Sequence, residues 1–129
     1  MLEYITLPNH LLPPVAPYSH AVRAGDFLFV TGQLAEDPET GEISQGSLLD
    51  QTRQVMDNLK LVLEHVGSSF DNVVMARIFL TDFRDYDDVN RVYASYFSEG
   101  RRPSRTTVGV IGLAGQGDIE IDLIVYCGA

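Results

Sequence analysis

The stretch NVVMARIFL at residues 72–80 places the tightest limit on how this chain can fold. It is too short and too β-branched for a long helix, and it is apolar at alternate positions of both sets except for Arg77. Such a segment belongs in the middle of a sheet, covered on both faces. Candidate covering helices lie on either side of it. Between 47 and 66, Leu48, Val55, Met56, Leu59, Val62, Leu63 and Val66 recur at three- and four-residue spacing and make one helical stripe. Ser47 with Asp50 resembles a capping box with the shorter acid, and Gly67 stands where a left-handed C-terminal cap belongs. A second stripe, Tyr86, Val89, Tyr93, Tyr96 and Phe97, is shorter and aromatic, with Asp82 or Asp85 as a cap and Gly100 and Pro103 as stop signals.

The remaining segments read as strands. SHAVRA and FLFVTGQ flank Gly25-Asp26, a pair suited to a tight hairpin, and a short strand at 3–7 precedes the loop set by Pro8, Pro13, Pro14 and Pro17. The turn-forming DPETG at 37–41 separates this hairpin from the first helix. Residues 104–111 and 118–126 close the chain as two strands joined by GLAGQG. The order β-β-β-α-β-α-β-β predicts an α+β domain. Strand–helix–strand crossovers between parallel strands combine with antiparallel hairpins into a mixed sheet, both helices on one face.

With 129 residues, 45% of them hydrophobic, the chain is expected to form one domain spanning 1–129. Eighteen acidic side chains against nine basic ones give a formal charge of -9, which repels phosphate backbones and anionic lipid, so neither nucleic acid nor a membrane is an expected partner. The single Cys127 excludes an intrachain disulfide, and His10, His20 and His65 have no metal-ligand spacing. Neither a targeting signal nor an apolar run of membrane-spanning length is apparent, so a cytoplasmic location without metal or cofactor is the expectation.

Alternation in the last strand places Ile119, Ile121, Leu123 and Val125 under the helices and Glu120, Asp122, Ile124 and Tyr126 on the other face. That second, mixed face suits another subunit, which predicts a homo-oligomer. Arg105 alternates with Thr107, Gly109 and Ile111, small neighbours that leave room for a planar ligand. On spacing alone, an ion pair with Glu120 or Asp122 is the simpler assignment for Arg105, and a carboxylate anchor is the alternative. The aromatic stripe at 86–97 fits core better than a stacking platform, and Gly32-Gln33 lacks the other glycines of a phosphate loop.

Four segments together resemble the Rid (YjgF-like) family of enamine/imine deaminases: APYSHAV at 16–22, FVTGQLAEDPETGE at 29–42, DVNRVYASYF at 88–97, and PSRTTV at 103–108 with IEID at 119–122. Gln51 and Asn58 also fall in place. The resemblance implies a chorismate-mutase-like fold and a homotrimer with a central β-barrel and clefts between subunits. It implies hydrolysis of 2-imino or 2-enamino acids, for example 2-aminoacrylate or 2-iminobutanoate, to 2-oxo acids and ammonia without a cofactor. By position, Arg105 would hold the substrate carboxylate and Glu120 would handle protons and water, while Tyr18, Thr31, Gly32, Asn90 and Thr107 would line the pocket.

Ala16, Thr31, Thr107 and Asp122 depart from the commonest pattern of that family, where glycine, serine, cysteine and glutamate are usual, which bears on substrate range more than on reaction class. Alternatives with the same anchor are a pathway-specific enzyme such as a 2-aminomuconate deaminase, or a non-enzymatic carboxylate-binding, chaperone-like trimer. If the last two strands form a hairpin about GLAGQG, Glu120 lies opposite Gly109, ~14 Å along the sheet from Arg105. The two are then expected to meet across a subunit boundary.

Overall fold

The computed structural model describes residues 1–128; Ala129, the last residue of the expected domain, lies outside them. The strands are β1 (Leu2–Ile5), β2 (Ala21–Ala24), β3 (Phe27–Gln33), β4 (Val73–Leu80), β5 (Ser104–Gly109) and β6 (Ile119–Tyr126). The helices are α1 (Leu48–His65) and α2 (Tyr86–Ala94), with short 3-10 turns at Phe70–Asn72 and Ala114–Gln116. This is the α+β order that the periodicities predict, and one six-stranded mixed sheet runs β1-β2-β3-β6-β4-β5.

The ends of α1 form as its sequence directs. The Ser47 hydroxyl accepts the Asp50 N–H at 3.1 Å, and Gly67 leaves the helix at φ 74, a conformation that costs glycine no steric penalty. Asp85 precedes α2 in a left-handed conformation and makes no side-chain cap, while the Asp82 carboxylate turns to the Arg84 backbone and guanidinium. The two-residue turn at Gly25-Asp26 joins β2 to β3, with Ala24 opposite Phe27.

One expectation fails. The last two strands are not a hairpin: β5 pairs only with β4, in parallel, and β6 inserts between β3 and β4, antiparallel to both. Burial explains the choice. The Ile119, Ile121, Leu123 and Val125 row of β6 is almost fully buried and profits from a central place, whereas the Ser-Arg-Thr-Thr sequence of β5 tolerates an edge. Glu120 therefore stands in register with Phe79 and, across β4, with Val108 rather than Gly109.

Val55, Met56, Leu59, Val62 and Leu63 of α1 are fully buried in the same core as Leu28, Ile78, Leu80, Ile119 and Ile121, each such side chain contributing about 1.5–3 kcal/mol. No helix among the described residues covers the opposite face. There Phe27, Phe29, Val74, Val108 and Tyr126 remain exposed, so β4 is internal to the sheet but covered on only one side within the chain. No helix among the described residues is long and apolar enough to cross a membrane.

Two buried polar residues tie α1 to the sheet. Gln51 donates to the Gly46 carbonyl and to Asp118 Oδ2, and accepts the Asp118 N–H, all at 2.9–3.0 Å. Asn58 donates to the Leu34 and Glu36 carbonyls and accepts from Gln54. His20 is a buried staple for the proline-rich entry: Nδ1 accepts the Leu7 N–H at 2.9 Å, so the proton on Nε2 goes to the Leu12 carbonyl at 2.6 Å.

Candidate functional site: two half-sites on opposite faces

The first half-site forms around Arg105, where the β5 edge meets α2. The parallel register sets Arg105 beside Ala76, and the buried Ala76 faces the helices, so the guanidinium projects to that side. Its Nε donates to Thr107 Oγ1 at 3.0 Å, and Nη2 donates to both Tyr86 Oη and Asn90 Oδ1 at 2.6 Å. The Tyr93 ring lies 4.9 Å from the guanidinium carbon and the Tyr86 ring 5.7 Å. The ion pair favoured on spacing does exist on this sheet, but it belongs to another arginine. Arg77 forks onto Asp122 through Nε at 3.0 Å and Nη2 at 2.6 Å. Among the described residues Arg105 meets no carboxylate within 4.0 Å.

Of the pocket residues expected from the sequence, Asn90, Arg105 and Thr107 are brought together by the fold, and Tyr86 and Phe83, which the sequence does not single out, join them. Tyr86 falls in the aromatic stripe assigned to core, yet its hydroxyl is on the guanidinium; its spacing of four from Asn90 was the available signal, since both then share a helix face. Phe83 tilts against Tyr86 at 5.1 Å between centroids and lies over Gly109, where a Cβ would stand 3.2 Å from the ring. The stripe is core where expected at Tyr93, which is buried with its hydroxyl unpartnered among the described residues. Burial pushes that phenol up to about 12.

The second half-site lies on the helix-free face. Pairing between β3 and β6 steps from Val30–Leu123 to Gln33–Ile121, three residues against two, so a bulge falls at Thr31-Gly32. Glu120 packs its carboxylate into the space that a side chain on Gly32 would occupy. Burial, and after it the charge of Asp122, raises the Glu120 carboxyl above its ordinary range, with Arg77 opposing. The Thr31 hydroxyl donates to the Ser19 carbonyl at 2.5 Å, which seats the loop carrying Tyr18 beside the bulge; the Tyr18 hydroxyl accepts the Val15 N–H.

The seven residues assigned to one pocket thus divide. Arg105, Asn90 and Thr107 lie on the helix side, and Glu120, Thr31 and Gly32 on the other, with Tyr18 in the loop beside Thr31. Arg105 shares its row with Ala76 and Leu123, Glu120 with Phe79, so their backbones are separated by three residues along the strands and two strand spacings across, ~14 Å in all. Their side chains also leave opposite faces of the sheet. One chain does not bring them into contact.

A family model described as Endoribonuclease L-PSP matches residues 9–127. A RutC family protein of Pyrococcus horikoshii is 46% identical over 113 residues, covering 88% of this chain and 89% of the relative. Among solved structures, YyfA of Yersinia pestis, described as a protein of unknown function of the conserved Rid family, superposes with a TM-score of 0.91 at 32% identity, over 98% of this chain and 99% of that one. TdcF of E. coli, solved with bound serine, superposes at 0.87 with 29% identity, over 98% and 100%. Matched over almost its whole length in both sequence and fold, the chain belongs to the Rid family, the family that the Endoribonuclease L-PSP model describes.

Proposed function

We propose that this chain hydrolyses small 2-imino and 2-enamino acids, such as 2-iminobutanoate or 2-aminoacrylate, to 2-oxo acids and ammonia. The observation that carries the proposal is the state of Arg105. It is a partly buried guanidinium held by three neutral oxygens and flanked by two aromatic rings, with no carboxylate beside it among the described residues. A cation fixed in this way, without a counter-ion, suits an anionic ligand. The small neighbours Thr107 and Gly109 admit a short one, and serine, the amino acid bound to TdcF, carries a carboxylate of this kind.

Anchoring the carboxylate fixes the adjacent imine carbon, so positioning supplies part of the acceleration. Water adds to that carbon, a proton passes to nitrogen, and ammonia departs to leave the 2-oxo acid. Glu120, raised above the ordinary carboxylate range, is suited to take a proton from water and return it to the leaving amine, a role typically contributing roughly 10²–10⁴-fold. The proposal includes a homotrimer with the helix-free faces turned inward as a barrel, so that Glu120 of one subunit completes the Arg105 cleft of the next. The exposed Phe27, Phe29, Val74, Val108 and Tyr126 on that face support this assembly. The endoribonuclease in the family description is not favoured for this chain, whose net charge of -9 opposes RNA.

The test couples the purified protein to a serine or threonine dehydratase and follows the released imine by semicarbazide trapping. The wild type is expected to accelerate imine loss and Arg105→Ala to abolish the acceleration. Unchanged decay with the wild type, or full activity in R105A, would overturn the proposal.

A further inference from the structure

A guanidinium carries five N–H hydrogens. In Arg105 the Nε hydrogen goes to Thr107 and the two Nη2 hydrogens to Tyr86 and Asn90. Only the two Nη1 hydrogens are without an acceptor among the described residues, so a side-on fork through Nε and Nη2 is already occupied. A carboxylate arriving at Nη1 needs its second hydrogen bond from another group.

Tyr86 can give it. Its oxygen accepts from Arg105 Nη2, which has no lone pair to take the phenolic hydrogen in return, and no acceptor among the described residues receives that hydrogen. Resting on the reading of Arg105 as a carboxylate anchor, we propose that Tyr86 is a ligand-contacting residue: one carboxylate oxygen takes Arg105 Nη1–H and the other takes the Tyr86 O–H. The ring is held for this purpose between Phe83, at 5.1 Å, and the guanidinium, at 5.7 Å. The neighbouring Thr107 hydroxyl, and with less effect the Arg105 charge, lower the Tyr86 phenol below its ordinary range against partial burial, which strengthens it as a donor. The titratable and charged groups around it are Arg105 on β5, Tyr93 on α2, and the carboxylates Asp85, Asp87 and Asp88 at the start of that helix.

The experiment uses 2-oxobutanoate as the probe, with binding to wild type, Tyr86→Phe and Arg105→Ala measured by calorimetry. Tyrosine ionisation is followed in parallel by ultraviolet absorbance with and without the probe. The proposal expects Y86F, which keeps the ring, to bind about tenfold more weakly or worse, the loss of one hydrogen bond to a charged group. It also expects one low-titrating tyrosine of the wild type to move to higher pH when the probe binds, because the anion favours the neutral phenol. That shift is absent in Y86F and locates the probe beside the Tyr86 hydroxyl, while the weaker binding of Y86F, which keeps the ring, separates a donor to the probe from a merely structural neighbour. If Y86F binds like wild type while R105A does not bind, the role of Tyr86 is overturned and the Arg105 anchor stands. If R105A binds like wild type, both are overturned.

Discussion

Gly32 is needed for the room it leaves. Its backbone is not in the left-handed region, so alanine is conformationally acceptable there, and the atoms a methyl group would meet are the Glu120 carboxylate, Cδ and Cγ. A flexible side chain can swing away from such a clash, which makes the substitution cheap for folding and costly for whatever Glu120 does. Gly32→Ala is expected to unfold within about 1–2 kcal/mol of wild type in urea, while imine hydrolysis falls roughly 10²-fold. Loss of stability without loss of turnover would remove Glu120 from the chemistry. The pH profile tests the same residue. Because burial and Asp122 raise the Glu120 carboxyl above 4.5, activity that needs the carboxylate should rise with pH through that raised value. Asp122→Asn removes a negative neighbour, and the acid limb should move to lower pH. The same raised carboxyl favours the fold below its unfolded value and loses that contribution as pH rises through its folded one. At this scale the sequence identifies residue types better than partners: the arginine–aspartate fork forms on Arg77, and no local pattern distinguishes that strand arginine from Arg105.

The elements whose signals are local were legible. Ser47 and Gly67 bound α1 because caps are decided within a turn, and Gly25-Asp26 makes the hairpin because a two-residue loop leaves few geometries. The position of β6 was not legible, because GLAGQG at 112–117 and its flanks are long enough either to turn back beside β5 or to cross the end of β4. Competition for burial across the whole sheet decides that. Gln51 and Asn58 hold the result in place. They lie seven residues apart on one face of α1, and their amides reach Asp118, just before β6, and the carbonyls of Leu34 and Glu36, just after the Gly32 bulge. Gln51→Leu would leave the Asp118 N–H and the Gly46 carbonyl without their partner, and Asn58→Leu would strand two carbonyls. Each is expected to cost roughly 2–4 kcal/mol by urea denaturation, with melting of the whole sheet rather than fraying of one end. A cost below about 0.5 kcal/mol would mean that water replaces these bonds.

At the scale of the whole molecule the candidate site is divided. A six-stranded sheet with helices on one side has an anchor for an anion at its β5 edge and a carboxylate of raised pKa on its bare face, ~14 Å away and pointing in the other direction. A hairpin of the last two strands would give a separation of this size, but that hairpin does not form, and opposite faces keep the groups apart more firmly than distance alone. If the working cleft takes Arg105 from one subunit and Glu120 from its neighbour, two inactive variants should repair one another. Arg105→Ala and Glu120→Gln chains, denatured together in equal amounts and refolded, would assort at random. A cleft is intact only when an E120Q chain supplies the arginine and an R105A chain supplies the glutamate, so about one quarter of wild-type activity should return. Mixing the two folded variants without denaturation would restore little unless subunits exchange. A site built within one chain contains a defect in every subunit however the chains assort, and recovery at the background level would show that the two half-sites do not work together.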